Sequence, residues 1–263
     1  MISRALCASG LATLIVLLGA AFAGADTASF DWASWDGILK QRVKPARIDG
    51  IALQGFDYDG LAKDRSAFDR LLTSLSTYTP RIESPKEKLA FWINVYNVGA
   101  VKMVLDHPGI GSLNEVGNKP GSVWKMDALV VGGKSYSLDA IEHQILRKLK
   151  EPRIHFAVVC ASVSCPDIRA EAYHKDGLDR QLNDQVGRFL ANSRKGLHID
   201  TAGKRLVVTK LFEWFGGDFG GPEGLKKFIA RHLPKNTLAP AGWPEFTVGY
   251  FDYSWKLNRF PAP

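Results

Sequence analysis

The sequence predicts a single α+β domain, with a buried central helix packed on a small, mostly antiparallel sheet and further helices around it. Three observations carry this. One segment, 84–106, is apolar nearly all round and carries capping signals at its start and stop signals at its end. Before it, apolar residues recur at helical spacing. After it come short alternating runs joined by tight-turn sequences.

The elements follow in order. Leu61, Phe68, Leu71, Leu72 and Leu75 predict a helix over 60–78, ended by Pro80. Ser84-Pro85-Lys86-Glu87 joins an N-cap serine, a first-turn proline and a glutamate three residues on, and His107-Pro108-Gly109 stops the helix it opens. Val123 to Val131 reads as a strand, Gly132-Gly133 as a two-residue hairpin turn, and Lys134 to Leu138 as the return. Asp139 is placed to cap a third helix, with Glu142 in the capping-box position. Ile154 to Cys160 is apolar on both faces and predicts a central strand. An amphipathic helix is expected over 176–191, a hairpin over 197–209 around Thr201-Ala202-Gly203-Lys204, a short helix at 223–232, and a last strand from Phe246 to Tyr253.

The N-terminus has the three parts of a secretory signal. Arg4 precedes the apolar run Leu11–Ala21, and Ala21-Phe22-Ala23 and Ala23-Gly24-Ala25 both fit a cleavage site. Residues 1–25 are therefore expected to be a signal peptide, 26–59 an N-terminal extension and 60–260 one globular domain, periplasmic or secreted, with no membrane span after cleavage. The net charge is +7, yet the basic residues are dispersed and do not interleave with aromatics, so nucleic-acid binding is not expected.

Several residues could carry chemistry. Glu142 falls inside the apolar stripe of Leu138, Ile141, Ile145, Leu146 and Leu149, where a carboxylate must be paired or protonated, unless it only closes the capping box. His143 adjoins it, one turn before Arg147. Asn94 and Asn97 share a face of the buried helix and either clamp a loop backbone or face a pocket. Cys160 ends the expected strand, where a thiol would be reactive only if its pKa were lowered. In an oxidising compartment the competing expectation is a Cys160–Cys165 disulfide, a short bridge that would fix a local loop. Strand alternation turns His155 away from Cys160 and makes it a core histidine. His143, His155, Cys160 and Cys165 match no familiar zinc spacing, and neither metal nor cofactor is expected. Gly216–Gly221 lacks the lysine of a P-loop and reads as a tight turn held by Asp218.

The blocks FWINVYN (91–97), IEHQILR (141–147), RIHFAVVCASVSCP (153–166), LFEWFGGDF (211–219) and DYSWKLN (252–258) together resemble the domain of unknown function 547 family, over roughly residues 60–260. The family's name carries no activity. Kinship proposed for it with papain-like and transglutaminase-like folds would imply a Cys-His-Asp/Asn arrangement with the thiol at a helix N-terminus. This sequence departs from that order: its central helix opens without a cysteine, and Cys160 follows His143. The resemblance implies a role for Cys160 beyond a disulfide, with Glu142, His143 and Asn94 as its neighbours.

Two functions from different classes are thus expected. One is a thiol-dependent hydrolase or transferase acting on peptide or amide bonds, with Cys160 as nucleophile, His143 as base, Glu142 or Asn94 as orienter, and Arg147, Asn97 and Asp218 as binding residues. The other is a non-catalytic binding or scaffold domain with a structural Cys160–Cys165 disulfide. The partner would be a small-molecule or peptide ligand.

Overall fold

The structure, a computed structural model, describes residues 29–80, 82, 84–233 and 243–260. The export signal expected over 1–25 lies outside these residues. The fold is α+β, built around one long helix.

The chain enters through α1 (Ala33–Arg42), the antiparallel hairpin β1 (Val43–Ile48) and β2 (Ile51–Phe56), α2 (Tyr58–Lys63) and α3 (Ser66–Thr77). The helix expected over 60–78 is therefore two. Asp57 caps the first by accepting from Gly60 N at 2.8 Å, and the break at 64–65 keeps Leu61, Phe68, Leu71 and Leu75 in one core. The segment before residue 60 adds Trp32, Trp35, Ile38, Leu39 and Phe56 to that same core.

Helix α4 (Pro85–Asp106) forms as the capping residues dictate, with Ser84 Oγ accepting from Glu87 N at 3.4 Å. Most of its side chains from Leu89 to Val104 are buried. Gly99 admits a close neighbour: a Cβ there would lie 2.9 Å from Leu129 Cδ2 and 3.0 Å from Leu138 Cδ2. Those residues belong to the next hairpin, β3 (Asp127–Val131) and β4 (Lys134–Ser137), and to the helix after it. Gly132 and Gly133 both take positive φ, +56° and +78°, as a two-residue hairpin turn requires.

The third helix departs from its expected start. Ser137 caps it, accepting from Ala140 N at 3.1 Å, so the capping box at Asp139 and Glu142 does not form. After a single α turn, α5 (Leu138–Ala140), the helix widens to π geometry over Ile141–Leu146 and tightens to a 3₁₀ turn over Arg147–Leu149. The widening releases Glu142 from the cap and turns it inward.

Ile154–Cys160 is not a strand. Pro152 opens a 3₁₀ turn over Pro152–Phe156, capped by Glu151, and irregular chain follows to Cys160. Its apolar residues are buried because they join the cores directly, without a ladder. A buried helical turn and a central strand share one hydrophobic signature at this length.

Beyond it lie α6 (Leu178–Leu190), the hairpin β5 (Leu197–Asp200) and β6 (Arg205–Val208), α7 (Leu211–Trp214), α8 (Gly221–His232) and β7 (Thr247–Tyr250). β7 is shorter than expected and pairs parallel to β6. The described strands thus form three small sheets rather than one. A second core, around Phe156, Phe189, Phe212, Phe219 and Phe228, joins α6 and α8 to the last sheet.

Candidate functional site

The site is built where the irregular chain after Phe156 meets α4 and the closing segment 253–260. Asn97 on α4 fixes the approach to Cys160. Its Nδ2 donates to Ala157 O at 3.0 Å and its Oδ1 accepts from Val159 N at 2.9 Å. From the other side the closing segment straps the cysteine loop. Asn258 N donates to Ala161 O at 3.0 Å, Val163 N to Lys256 O at 2.8 Å, and Ser254 N to Ser164 Oγ at 2.8 Å. From below, Lys195 Nζ donates to Val163 O at 3.2 Å, Cys165 O at 2.8 Å and Asp167 Oδ1 at 2.6 Å. Between the cysteines Ala161 takes φ +58°, the left-handed region, and Cys165 N closes a turn onto Ser162 O at 3.2 Å.

This framework places Cys160 Sγ 3.1 Å from both Ser162 Oγ and Tyr253 OH. Burial pushes the Cys160 thiol up, but bonds from the Cys165 thiol, the Ser162 and Tyr253 hydroxyls and the Ser162 amide more than offset it. The net effect holds Cys160 below the usual thiol range. Burial and the adjoining Cys160 push Cys165 well above it. The pair is not disulfide-bonded. Both cysteines are free, because Cys165 Sγ turns to accept from Cys160 N at 2.9 Å while Cys160 Sγ faces the hydroxyls.

Cys160 lines a cleft of about 170 Å³ with Tyr96, Glu142, His155, Trp214, Tyr253 and Trp255 among its other walls. Tyr96 OH donates to Glu142 Oε2 at 3.3 Å, and Glu142 Oε1 lies 3.7 Å from His155 Nδ1. His155 Nε2 is 2.8 Å from Asp218 Oδ2, and its ring stacks on Phe215 at 4.0 Å. Asp218 also receives a two-pronged bond from Arg147 Nε and NH2, at 2.6 and 2.8 Å.

The electrostatics follow from these contacts. Burial, then the neighbouring Cys160 charge, raises the Glu142 carboxyl to about 7. Burial lowers His155 to about 4, so its ring is neutral at pH 7. Arg147, with His155, holds Asp218 down to about 2. An ionised Asp218 can only accept, so the ring proton resides on Nε2 and Nδ1 carries a lone pair. That Nδ1 is buried without a hydrogen-bond partner and faces Glu142. Cys160 and Glu142 thus share one cleft, and Glu142 faces the end of a His155–Asp218–Arg147 line, so that a buried acid and a buried base stand near a polarised sulfur.

The expected residues divide sharply. Cys160, Glu142 and His143 line the cleft. His143 sits half exposed at its edge, with Nδ1 accepting from Arg147 NH1 at 2.9 Å and Nε2 3.8 Å from Asp139 Oδ1. Among the described residues no hydrogen bond joins His143 to Cys160. Asn94 belongs elsewhere: it clamps Tyr173, donating to its O at 2.8 Å and accepting from its N at 2.9 Å. Asn97, Arg147 and Asp218 support the site through Val159, His143 and His155. Asp218 holds Arg147 and His155 rather than merely tightening its own turn.

Sequence reasoning missed His155, Tyr96, Tyr253 and Ser162. His155 was turned away only by the alternation of a strand that does not form. The signal that could have found Tyr96 was its place on α4 between Asn94 and Asn97, on the helix's polar interruption. Tyr253 and Trp255 reach the site through a strap with no local periodicity. One wall is aromatic: Trp214 stacks on Trp255 at 5.8 Å and packs on Tyr253 at 4.8 Å, and Trp124 meets Trp255 at 6.2 Å. Among the described residues no group of three or more His, Cys, Asp or Glu side chains converges with metal-holding geometry.

Residues 81–190 match the model of a family described as a protein of unknown function, DUF547. The match spans α4, Glu142, His155 and Cys160. No curated protein and no solved structure matches the chain.

Proposed function

We propose that this chain, whose residues 81–190 match the model of the DUF547 family, a match that carries no activity, is an exported thiol-dependent hydrolase or transferase acting on peptide or amide bonds. Cys160 is the nucleophile. The observation that carries the reading is its sulfur, ringed by hydroxyl and thiol donors in an open cleft that it shares with a carboxyl poised near neutrality.

The thiolate attacks the substrate carbonyl carbon, forming a C–S bond. The Ser162 and Tyr253 hydroxyls then release the sulfur and stand close to the developing oxyanion. Protonated Glu142 gives its proton to the leaving amine as the C–N bond breaks. The carboxylate then takes a proton from water or a second amine, which cleaves the thioester and restores both groups. His155, kept neutral by burial and oriented by Asp218, presents an unprotonated Nδ1 to the Glu142 carboxyl 3.7 Å away. His143 stands at the rim and Arg147 holds Asp218, so the acid-base role passes from His143 to Glu142.

A generic activated ester tests this. With p-nitrophenyl acetate the full chain is expected to release a burst of nitrophenol and carry one acetyl group, mapped to Cys160, which C160S lacks. Equal rates for wild type and C160S, with no adduct at Cys160, would remove the reading. A binding role without turnover is favoured by the aromatic wall of Trp214, Trp255 and Trp124, and ligand retention by C160S would support it. Export rests on the N-terminal signal pattern. It is checked by the mass of chain recovered from the periplasm, expected to begin after Ala23 or Ala25.

A further inference from the structure

We propose that Cys160 is also an oxidation site for hydroperoxides and that Cys165 is its resolving thiol, so that the pair closes a reversible disulfide across the cleft wall. This goes beyond acyl transfer and needs only that Cys160 be a reactive thiolate.

The geometry supplies each requirement. Cys160 is half-buried and lines the cleft, where a small peroxide can reach it. Its sulfur is flanked by Ser162 and Tyr253 hydroxyls at 3.1 Å, donors suited both to the thiolate and to the oxygen of a peroxide. Cys165 is buried beside it at the base of the same cleft. Its Sγ already lies 2.9 Å from Cys160 N. The left-handed Ala161 and the turn from Cys165 N to Ser162 O fold the intervening loop back on itself, as a five-residue separation requires for a bridge. Lys195, bonded to the carbonyls of Val163 and Cys165, holds the far half of that loop in place during the exchange.

The chemistry balances in two steps. The Cys160 thiolate attacks the terminal oxygen of a hydroperoxide, ROOH. An S–O bond forms and the O–O bond breaks. The sulfur gives up two electrons, and RO⁻ leaves as ROH with a proton from Glu142 or water, which makes Cys160 a sulfenic acid. The Cys165 sulfur then attacks that of Cys160. The S–S bond forms, the S–O bond breaks, and hydroxide leaves as water with the Cys165 proton. An external dithiol returns both thiols by exchange. While the bridge is closed the nucleophile is masked.

Both cysteines fall on one tryptic peptide, Ile154–Arg169, so peptide mass reads the outcome directly. After one equivalent of hydrogen peroxide the wild-type full chain is expected to lose two hydrogens on that peptide, restored by dithiothreitol. C165S is expected to accumulate instead a dimedone-trappable sulfenic acid at Cys160, at least ten-fold above wild type. The proposal is overturned if the wild-type peptide keeps its hydrogens, whether by going on to sulfinic acid or by not reacting. Equal dimedone trapping in C165S and wild type also overturns it. The wild-type readout decides even if C165S does not fold. Because ester acylation is read without peroxide, the two proposals can fail independently.

Discussion

Two buried polar groups flank the cysteine loop and are treated in opposite ways. Lys195, with its side chain 1% exposed, uses all three ammonium protons on Val163 O, Cys165 O and Asp167. On the cleft side His155 is as deeply buried and Glu142 is 12% exposed, yet they are left short. His155 Nδ1 has no partner and Glu142 holds one long bond from Tyr96. A fully bonded buried charge is a structural fastener. A buried acid and base that face each other across 3.7 Å beside a cleft keep the capacity to move a proton.

Breaking the fastener gives the largest expected effect. Lys195→Met leaves Asp167 and two carbonyls without their cation and is expected to cost about 3–5 kcal/mol, read as a lowered midpoint in urea. A loss under about 1 kcal/mol, the scale of an exposed pair, would show that the buried bonds do not act as a fastener. Next comes Asn97→Ala, which strips Ala157 O and Val159 N of their partner. It is expected to cost about 1–3 kcal/mol and to slow alkylation of Cys160, since that clamp sets where the thiol stands.

Glu142→Gln separates the two sides by pH. Glu142 is raised from 4.5 to about 7, so the folded state holds its proton longer and stability falls as pH rises through that window. His155 is lowered from 6.5 to about 4, so its contribution is present above 6.5 and is lost as pH falls toward 4. Between about 4.5 and 6.5 the two slopes oppose and nearly cancel in the wild type. In E142Q only the histidine slope remains, and stability measured by urea titration should rise by on the order of 1 kcal/mol per pH unit relative to wild type. Parallel curves for the two proteins would contradict the raised carboxyl of Glu142. The smallest effect is at the rim. Trp214 is 45% exposed, and Trp214→Ala should cost about 1 kcal/mol or less while slowing acylation by a bulky aromatic ester more than by an acetyl ester.

The same contrast explains what was legible beforehand. The α4 boundaries, the Gly132-Gly133 hairpin and the amphipathic α6 were readable because each is set by local capping, turn or periodic chemistry. Glu142 was readable as an acid misplaced in an apolar stripe. Its cause was not, because the π widening that turns it inward has no sequence period of its own. His155 was lost to a wrong period: seven apolar-rich residues fit a strand and a buried helical turn equally, and only tertiary packing chose between them. Lys195 is joined to the cysteine loop, and Tyr253 to Cys160 itself, by contacts far along the chain, which no local pattern encodes. Asn94 and Asn97 read equally as loop clamps or as pocket residues, and only the structure shows both as clamps, one beside Cys160 and one at Tyr173.

The central claim is that Cys160, and not Cys165, is the activated thiol. It is tested most directly by the pH dependence of iodoacetamide alkylation, followed by peptide mapping of each cysteine in the reduced full chain. A single label at Cys160 is expected, with the rate half-maximal clearly below about 8.5, the value of an unperturbed thiol, and Cys165 unmodified throughout. A Cys160 rate that rises only near that ordinary value, or equal labelling of the two cysteines, would contradict it.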